Sequence, residues 1–158
     1  MAADLQKQVQ DALDPASSVA CRSRCTAAVS RWSMPSRGWP SKTSARAIAR
    51  MYAALLGDLD DVPLLTEERL REATTLSMSG MDVVFGMPSA WALVYAIGRP
   101  GSSPEDAPTA FGVGGAGGSF AYGDTASGIA FGLTKNRLTN NFSLVTEIVQ
   151  IVTEATGQ

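Results

Sequence analysis

Apolar residues recur at helical spacing in the first organised stretch of the chain. They fall at i, i+3, i+4, i+7 and i+8, which is one face of an α-helix: Ile48, Met51, Tyr52, Leu55 and Leu56. Ser44 is placed to cap this helix and Gly57 to end it. A second, shorter helix is predicted from its cap Thr66 to about Thr74, because Glu67 and Glu68 complement the helix dipole.

After residue 80 the pattern changes from helical to strand-like. Residues 91–97 are apolar at every position, which predicts one interior strand covered on both faces. Two more strands are predicted at residues 119–122 and 129–133, joined into a hairpin through residues 123–128. The last apolar residues are spaced for a closing helix: Leu144, Val145, Ile148, Val149, Ile151 and Val152. This order predicts the α+β class, with an antiparallel sheet packed by at least the first and last helices.

The domain organisation follows from length and periodicity. A chain of 158 residues fits one domain. Residues 1–33 show little sustained period, so we predict a weakly ordered N-terminal segment there and the organised domain over residues 34–158.

Composition excludes several classes of function. The chain has no histidine, so a Ser/His/Asp triad and a His-ligated metal are excluded within it. A net charge of -2 gives no electrostatic footprint for nucleic acid or an anionic membrane. No apolar stretch approaches the length of a membrane helix, and the first residues lack the apolar run of a signal peptide. We therefore expect a cytoplasmic protein.

The two cysteines, Cys21 and Cys25, carry little chemistry by themselves. Two thiolates cannot complete a four-ligand zinc site, so they are interpreted as reduced thiols. The alternative is a redox pair whose thiol pKa the neighbouring Arg22 and Arg24 would lower. No cofactor or metal motif is found in the sequence.

A glycine-rich run at residues 112–118 contains a literal G-x-G-x-x-G. In a dinucleotide-binding fold the last glycine opens a helix, whereas here residues 119–122 continue as a predicted strand. The other structural interpretation is a sharp strand bend with close backbone packing.

The run and its surroundings resemble a known family. Residues 111–124 read FGVGGAGGSFAYGD and residues 128–137 read GIAFGLTKNR, and together with the helix at residues 44–55 they resemble the C-terminal part of the β-lactamase-related serine hydrolases. This is the group of class C β-lactamases and carboxylesterases, and the resemblance covers roughly residues 35–158. It implies the β-lactamase/transpeptidase-like fold and small ester or amide substrates in intact relatives.

The resemblance also implies a role for four residues. The third active-site motif of the family, on the strand that flanks the nucleophile, matches Val113, Gly114 and Gly115. The residue after this motif donates a backbone N–H to the oxyanion hole, and that position is Ala116. The polar head of the motif is replaced by Val113.

The other two family motifs are absent. No lysine is preceded by serine at the spacing Ser-x-x-Lys, and no tyrosine begins Tyr-x-Asn or Tyr-x-Ser. No catalytic residue is assigned, and we expect a truncated or degenerate member that is inactive alone. The alternatives are a noncatalytic binding or scaffold module that uses the leftover cleft or the exposed sheet face, and a truncated gene product without independent function. The resemblance also implies that the chain lacks the N-terminal strands and the second lobe of intact relatives, so we expect an exposed sheet face and self-association or a partner.

Overall fold

The computed structural model describes residues 8, 17–22, 45–57, 64–84, 86–115, 117–135 and 142–156. Seven strands lie in these residues: β1 Ser17–Arg22, β2 Met78–Asp82, β3 Met87–Trp91, β4 Ala96–Ile97, β5 Ala110–Gly114, β6 Phe120–Asp124 and β7 Ile129–Lys135. The helices are α1 Ala45–Leu55, α2 Glu67–Thr74 and α3 Ser143–Thr156. In the described part of the chain, no helix has the length and apolar character needed to cross a bilayer.

The strands form one antiparallel sheet in the order β1-β7-β6-β5-β4-β3-β2. The predicted hairpin is confirmed as β6 and β7, which pair from Phe120↔Leu133 to Asp124↔Ile129. Strand β1 was not predicted, because its residues lie in the segment without a sustained apolar period. Its partner β7 lies more than a hundred residues away in the chain, and the domain division at residue 33 stays a prediction.

Helices cover both faces of the sheet. On one face α3 packs over β6 and β7, and the buried core there is Ala107, Ala110, Tyr122, Ile129, Phe131, Leu133, Val145, Ile148, Val149 and Val152. On the other face α1 and α2 pack over a second core, made of Tyr52, Ala53, Leu55, Leu70, Ala90, Ala92, Ile97, Phe111, Ala121 and Ala130. The predicted α+β class, with the first and last helices on the sheet, is confirmed.

Helix α1 lies unusually close to the sheet because small residues meet at the contact. Ala45 and Ala49 are buried, and a Cβ added to Gly132 of β7 would lie only 2.7 Å from the carbonyl oxygen of Ala45. The helix ends at Leu55, and Gly57 follows in the turn with a φ of 79°, in the left-handed region that favours glycine. The predicted cap Ser44 lies outside the described residues.

The cap of the second helix is confirmed. Thr66 has extended backbone angles, and its hydroxyl oxygen accepts a hydrogen bond from the backbone N–H of Arg69 at 3.3 Å. This bond satisfies one of the N–H groups that the first turn of a helix leaves without a partner.

The prediction of one strand over residues 91–97 is wrong. The chain reverses there, so that Trp91 at the end of β3 pairs with Ala96 of β4, and the N–H of Ala92 donates to the carbonyl of Tyr95 at 2.8 Å. Leu93 and Val94 lie in the turn and are 72% and 59% exposed. An unbroken apolar run without glycine or proline carries no turn signal, which is why the pattern could not locate this reversal.

Candidate functional site

The residues assigned to the third motif lie where β5 ends. Val113 and Gly114 are its last two residues, and they pair with Ala121 and Phe120 of β6. Gly115 follows, and its N–H donates to the carbonyl of Ser119 at 2.8 Å. We call residues 113–115 the β5 end.

The β5 end is accessible on its outer side. Val113 is 46% exposed, and Gly114 and Gly115 are exposed as well. Within the described ranges, β4 pairs only with Phe111 and Gly112, so the β5 end extends past its neighbour. Ala116, the predicted oxyanion donor, lies outside the described residues, and its role stays a prediction.

The glycine-rich run joins two strands of the sheet. It connects β5 to β6, with the N–H of Gly118 donating to the carbonyl of Gly115 at 2.9 Å in the turn. A dinucleotide site would need a helix to begin at the end of this run. The topology therefore agrees with the strand interpretation and not with the dinucleotide interpretation.

Three aromatic rings support β5 on the face covered by α1. Tyr52 of α1, Tyr95 of the β3–β4 turn and Phe111 of β5 have ring centroids 5.1–6.2 Å apart. Tyr52 also has a backbone hydrogen bond with Val113. The cluster therefore links a helix and a turn to the strand that carries the β5 end. Sequence reasoning did not find it, since the three residues come from separate segments.

Burial makes two of these rings hard to ionise. Burial is the main cause that raises the pKa of Tyr52 to about 12. The neighbouring Tyr95 raises this pKa further, and the hydrogen bond with the Val113 backbone lowers it by less. Burial also raises the pKa of Tyr95. Both phenols therefore keep their protons in the folded protein at pH values where an unfolded chain would begin to lose them.

We expect this difference to appear in the pH dependence of stability. Below pH 10 the phenols are protonated in both the folded and the unfolded chain, so the raised pKa values do not yet lower the free energy of unfolding. As the pH rises from 10 towards 12, the unfolded state loses protons that the folded state retains, so the thermal midpoint falls. Thermal unfolding across this range measures how steeply the midpoint falls with pH. We expect a smaller slope in Tyr52→Phe, because this variant lacks the Tyr52 phenol. An equal slope in the wild type and in Tyr52→Phe would contradict the assignment.

A buried carboxylate lies at the opposite end of β6. Asp124 is 3% exposed, and its Oδ1 accepts from the Thr109 hydroxyl at 2.7 Å and from the Ala126 N–H at 3.1 Å. Its Oδ2 accepts from the Ser127 hydroxyl at 2.9 Å and lies 3.9 Å from a guanidinium nitrogen of Arg99. The network ties the connection over residues 98–109 to the β6–β7 turn, so it fixes the end of β5 that is remote from residues 113–115.

The chemistry available at the β5 end is that of backbone groups. The side chains of Val113, Gly114 and Gly115 include no nucleophile, acid, base or cation. An accessible strand end can align a substrate carbonyl and donate N–H groups to it, but it cannot attack that carbonyl.

Comparisons with known proteins agree with this architecture. A family model described as Beta-lactamase matches residues 7–154. A search of curated proteins found no match. Among solved structures, a penicillin-binding protein homologue from Caulobacter crescentus is 26% identical with a TM-score of 0.63, over 72% of this chain and 32% of the other.

Two further solved structures are also similar. EstA from Arthrobacter nitroguajacolicus Rue61a is 28% identical with a TM-score of 0.56, over 72% of this chain and 33% of its own. A family VIII carboxylesterase has a TM-score of 0.62 at 23% identity, over 70% of this chain and 31% of its own, which is a likeness of fold. The chain thus spans about a third of the length of these structures, and its fold is of their β-lactamase/transpeptidase-like kind.

Proposed function

The chain belongs to the β-lactamase family, and we propose that it forms the strand-side wall of an acyl-transfer site that acts on small esters or amides. The observation that carries this proposal is the β5 end. It is an accessible strand terminus, held by β6 and by the aromatic cluster beneath it. The sequence resemblance assigns the family's third motif to the same residues. The proposed role of the wall is to align the acyl group of the substrate.

The reaction proposed for such a site proceeds through an acyl-serine. The serine oxygen attacks the carbonyl carbon, the alcohol or amine leaves with a proton, and water then hydrolyses the acyl-serine to release the acid. Charge develops on the carbonyl oxygen at both attacks, and the Ala116 N–H is the proposed donor to it. A backbone N–H can donate whatever side chain its residue carries, so an alanine at this position can fill the proposed role.

We further propose that these 158 residues do not catalyse the reaction alone. The sequence has neither Ser-x-x-Lys nor Tyr-x-Asn, so the nucleophile and its proton-transfer partner are not supplied by the chain. Removing one oxyanion donor costs about 10² to 10³ in kcat, whereas removing the nucleophile of a serine hydrolase costs about 10⁶. A chain that retains only the oxyanion donor is therefore expected to have a kcat far below that of an intact hydrolase.

The test is direct. The purified chain is incubated with a chromogenic cephalosporin, with p-nitrophenyl esters and with a fluorophosphonate probe that labels nucleophilic serines. We expect no hydrolysis above the buffer rate and no covalent label. A carboxylesterase of the same fold is the positive control. Labelling of a serine together with turnover would contradict the proposal.

A noncatalytic binding module is the second candidate. It is favoured by one observation, the exposed apolar side chains along β2 and β3, among them Met78, Met81 and Met87. Reading the nucleotide sequence upstream of the codon for Met1 separates the two candidates. An in-frame Ser-x-x-Lys and Tyr-x-Asn there supports the enzyme wall, and their absence supports the module.

A further inference from the structure

Strand β2 is the outermost strand of the sheet. Among the described residues, β3 is its one strand partner, and the other side of β2 is an edge. A strand edge presents N–H and C=O groups to any strand that approaches, and proteins usually guard such edges with lysine, proline or a bulge. The sequence of β2, MSGMD, has neither lysine nor proline, and its pairing with β3 is regular from Met78↔Trp91 to Asp82↔Met87.

The one charged side chain of β2 is engaged in its own hairpin. An oxygen of Asp82 accepts a hydrogen bond from the Val84 N–H at 2.8 Å, and the carbonyl of Asp82 accepts from the Gly86 N–H at 2.8 Å. These bonds direct the carboxylate towards the turn at the end of the strand. The middle of the edge, residues 79–81, is therefore neutral.

Large apolar side chains surround this edge. Six of them, on β2, on the first residue of β3 and on the flanking loops, are at least half exposed: Leu76 at 50%, Met78 at 63%, Met81 at 65%, Val83 at 94%, Val84 at 81% and Met87 at 57%. Soluble monomers rarely expose contiguous apolar patches larger than a few hundred Å². Met78 and Met87 lie on one face of the hairpin and Met81 on the other, because side chains alternate along a strand. A neutral edge with exposed apolar side chains on both faces indicates a surface that is covered in solution.

We propose that β2 pairs antiparallel with β2 of a second copy of this chain, about a two-fold axis, so that two sheets become one. A two-fold axis normal to the sheet makes identical edge strands antiparallel, so the edge is complementary to itself. A pairing centred on Gly80 places Met78 opposite the second copy's Asp82, which keeps the two carboxylates at opposite ends. The net charge of -2 per chain adds little repulsion between the copies.

The surface available is close to what a dimer requires. Covering one large apolar side chain removes roughly 100 Å² from water, so the six exposed ones supply at most about 600 Å² per subunit. A stable interface of standard size buries about 800 Å² per partner. The polar edge of β2 and the rest of the hairpin supply the remainder. The self-association expected from the sequence is thereby assigned to one strand.

A groove beside β2 can accommodate side chains of the second copy. Its volume is ≈ 780 Å³, and its lining includes Ser79 and Gly80 of β2 together with Ile97 and Pro104. Methionine is unbranched and adapts to irregular spaces. Side chains alternate along a strand, so Met81 lies on the same face as Ser79, and a two-fold axis normal to the sheet keeps that face common to both copies. Met81 of the second copy is therefore suited to fill this open groove.

The experiment compares the wild type with lysine variants by sedimentation velocity, from about 1 to about 100 µM protein. We expect a monomer–dimer equilibrium in the wild type. The double variant Met78→Lys/Met81→Lys places charges on the paired edges and is expected to be monomeric over the whole range. Met51→Lys is the matched control, because Met51 is an exposed methionine on α1, 43% exposed and away from the edge, and it is expected to dimerise like the wild type.

Circular dichroism establishes that each variant is folded. If the double variant fails to fold, amide hydrogen exchange on the wild type decides, since protection of the β2 amides must increase with protein concentration. Four results would overturn the proposal: a wild-type monomer at the highest concentration, a dimer that the β2 lysines leave intact, equal dissociation by Met51→Lys, or open-ended assembly beyond the dimer.

Discussion

Replacement of Asp124 by alanine is expected to lower the free energy of unfolding by about 3–5 kcal/mol, the cost of removing one partner from a buried ion pair. The side chains of Asp124 and Arg99 are 5% and 9% exposed, so the guanidinium would stay in a place poor in water after the carboxylate is gone. The hydroxyls of Thr109 and Ser127 and the N–H of Ala126 would lose their acceptor at the same time.

One further variant separates charge from shape in this network, and a second serves as a control outside it. Asp124→Asn keeps an oxygen acceptor and the size of the side chain, so we expect a smaller loss than in Asp124→Ala. Asp106→Ala is the matched control, because Asp106 is exposed and accepts hydrogen bonds only locally from Ser103 in the described contacts. Urea denaturation of the three variants gives the comparison. Equal losses for Asp124→Ala and Asp106→Ala would show that the buried network contributes nothing beyond a surface turn.

The sequence was sufficient to predict helices and strands where the local apolar pattern agrees with the tertiary structure. Helix α3 buries Val145, Ile148, Val149 and Val152 of its predicted face, and β6 and β7 are joined by a turn rich in small polar residues. In α1, Tyr52 and Leu55 of the predicted face are buried, whereas Met51 is 43% exposed and Ala45 and Ala49 are buried instead. The pattern failed where the partner is remote. Strand β1 depends on β7, and the β3–β4 reversal places Leu93 and Val94 in water, which an apolar run gives no reason to expect.

The candidate site was likewise predicted only in part from the sequence. The resemblance located residues 113–115, and the structure places them together at one accessible strand end. The groups that hold this strand were not found from the sequence. Tyr52 and Tyr95 meet Phe111 from two other segments, and Arg99 reaches Asp124 across the connection over residues 98–109. Such contacts depend on the fold, so a one-dimensional pattern does not contain them.

The second large effect is expected from Gly112→Ala, which should destabilise the protein by about 3 kcal/mol through overpacking. A Cβ at this position would overlap the carbonyl oxygen of Ala121 and would lie 2.8 Å from the Cα and Cβ of Tyr122. The overlap involves backbone of the neighbouring strand, so no side chain can rotate away from it. Strand β5 must instead move away from β6, and the β5 end moves with it.

Gly115→Ala is the matched control from the same glycine-rich run. A Cβ there would lie 3.5 Å from the carbonyl oxygen of Ser119, an ordinary contact, so the expected change in stability is within about 0.5 kcal/mol. Urea denaturation measures both variants, and backbone amide shifts of residues 113–115 report whether the β5 end is displaced in Gly112→Ala. If the two glycines tolerate alanine equally, close strand packing is not the reason for glycine at position 112. The distance between β5 and β6 would then not be what fixes the position of the β5 end.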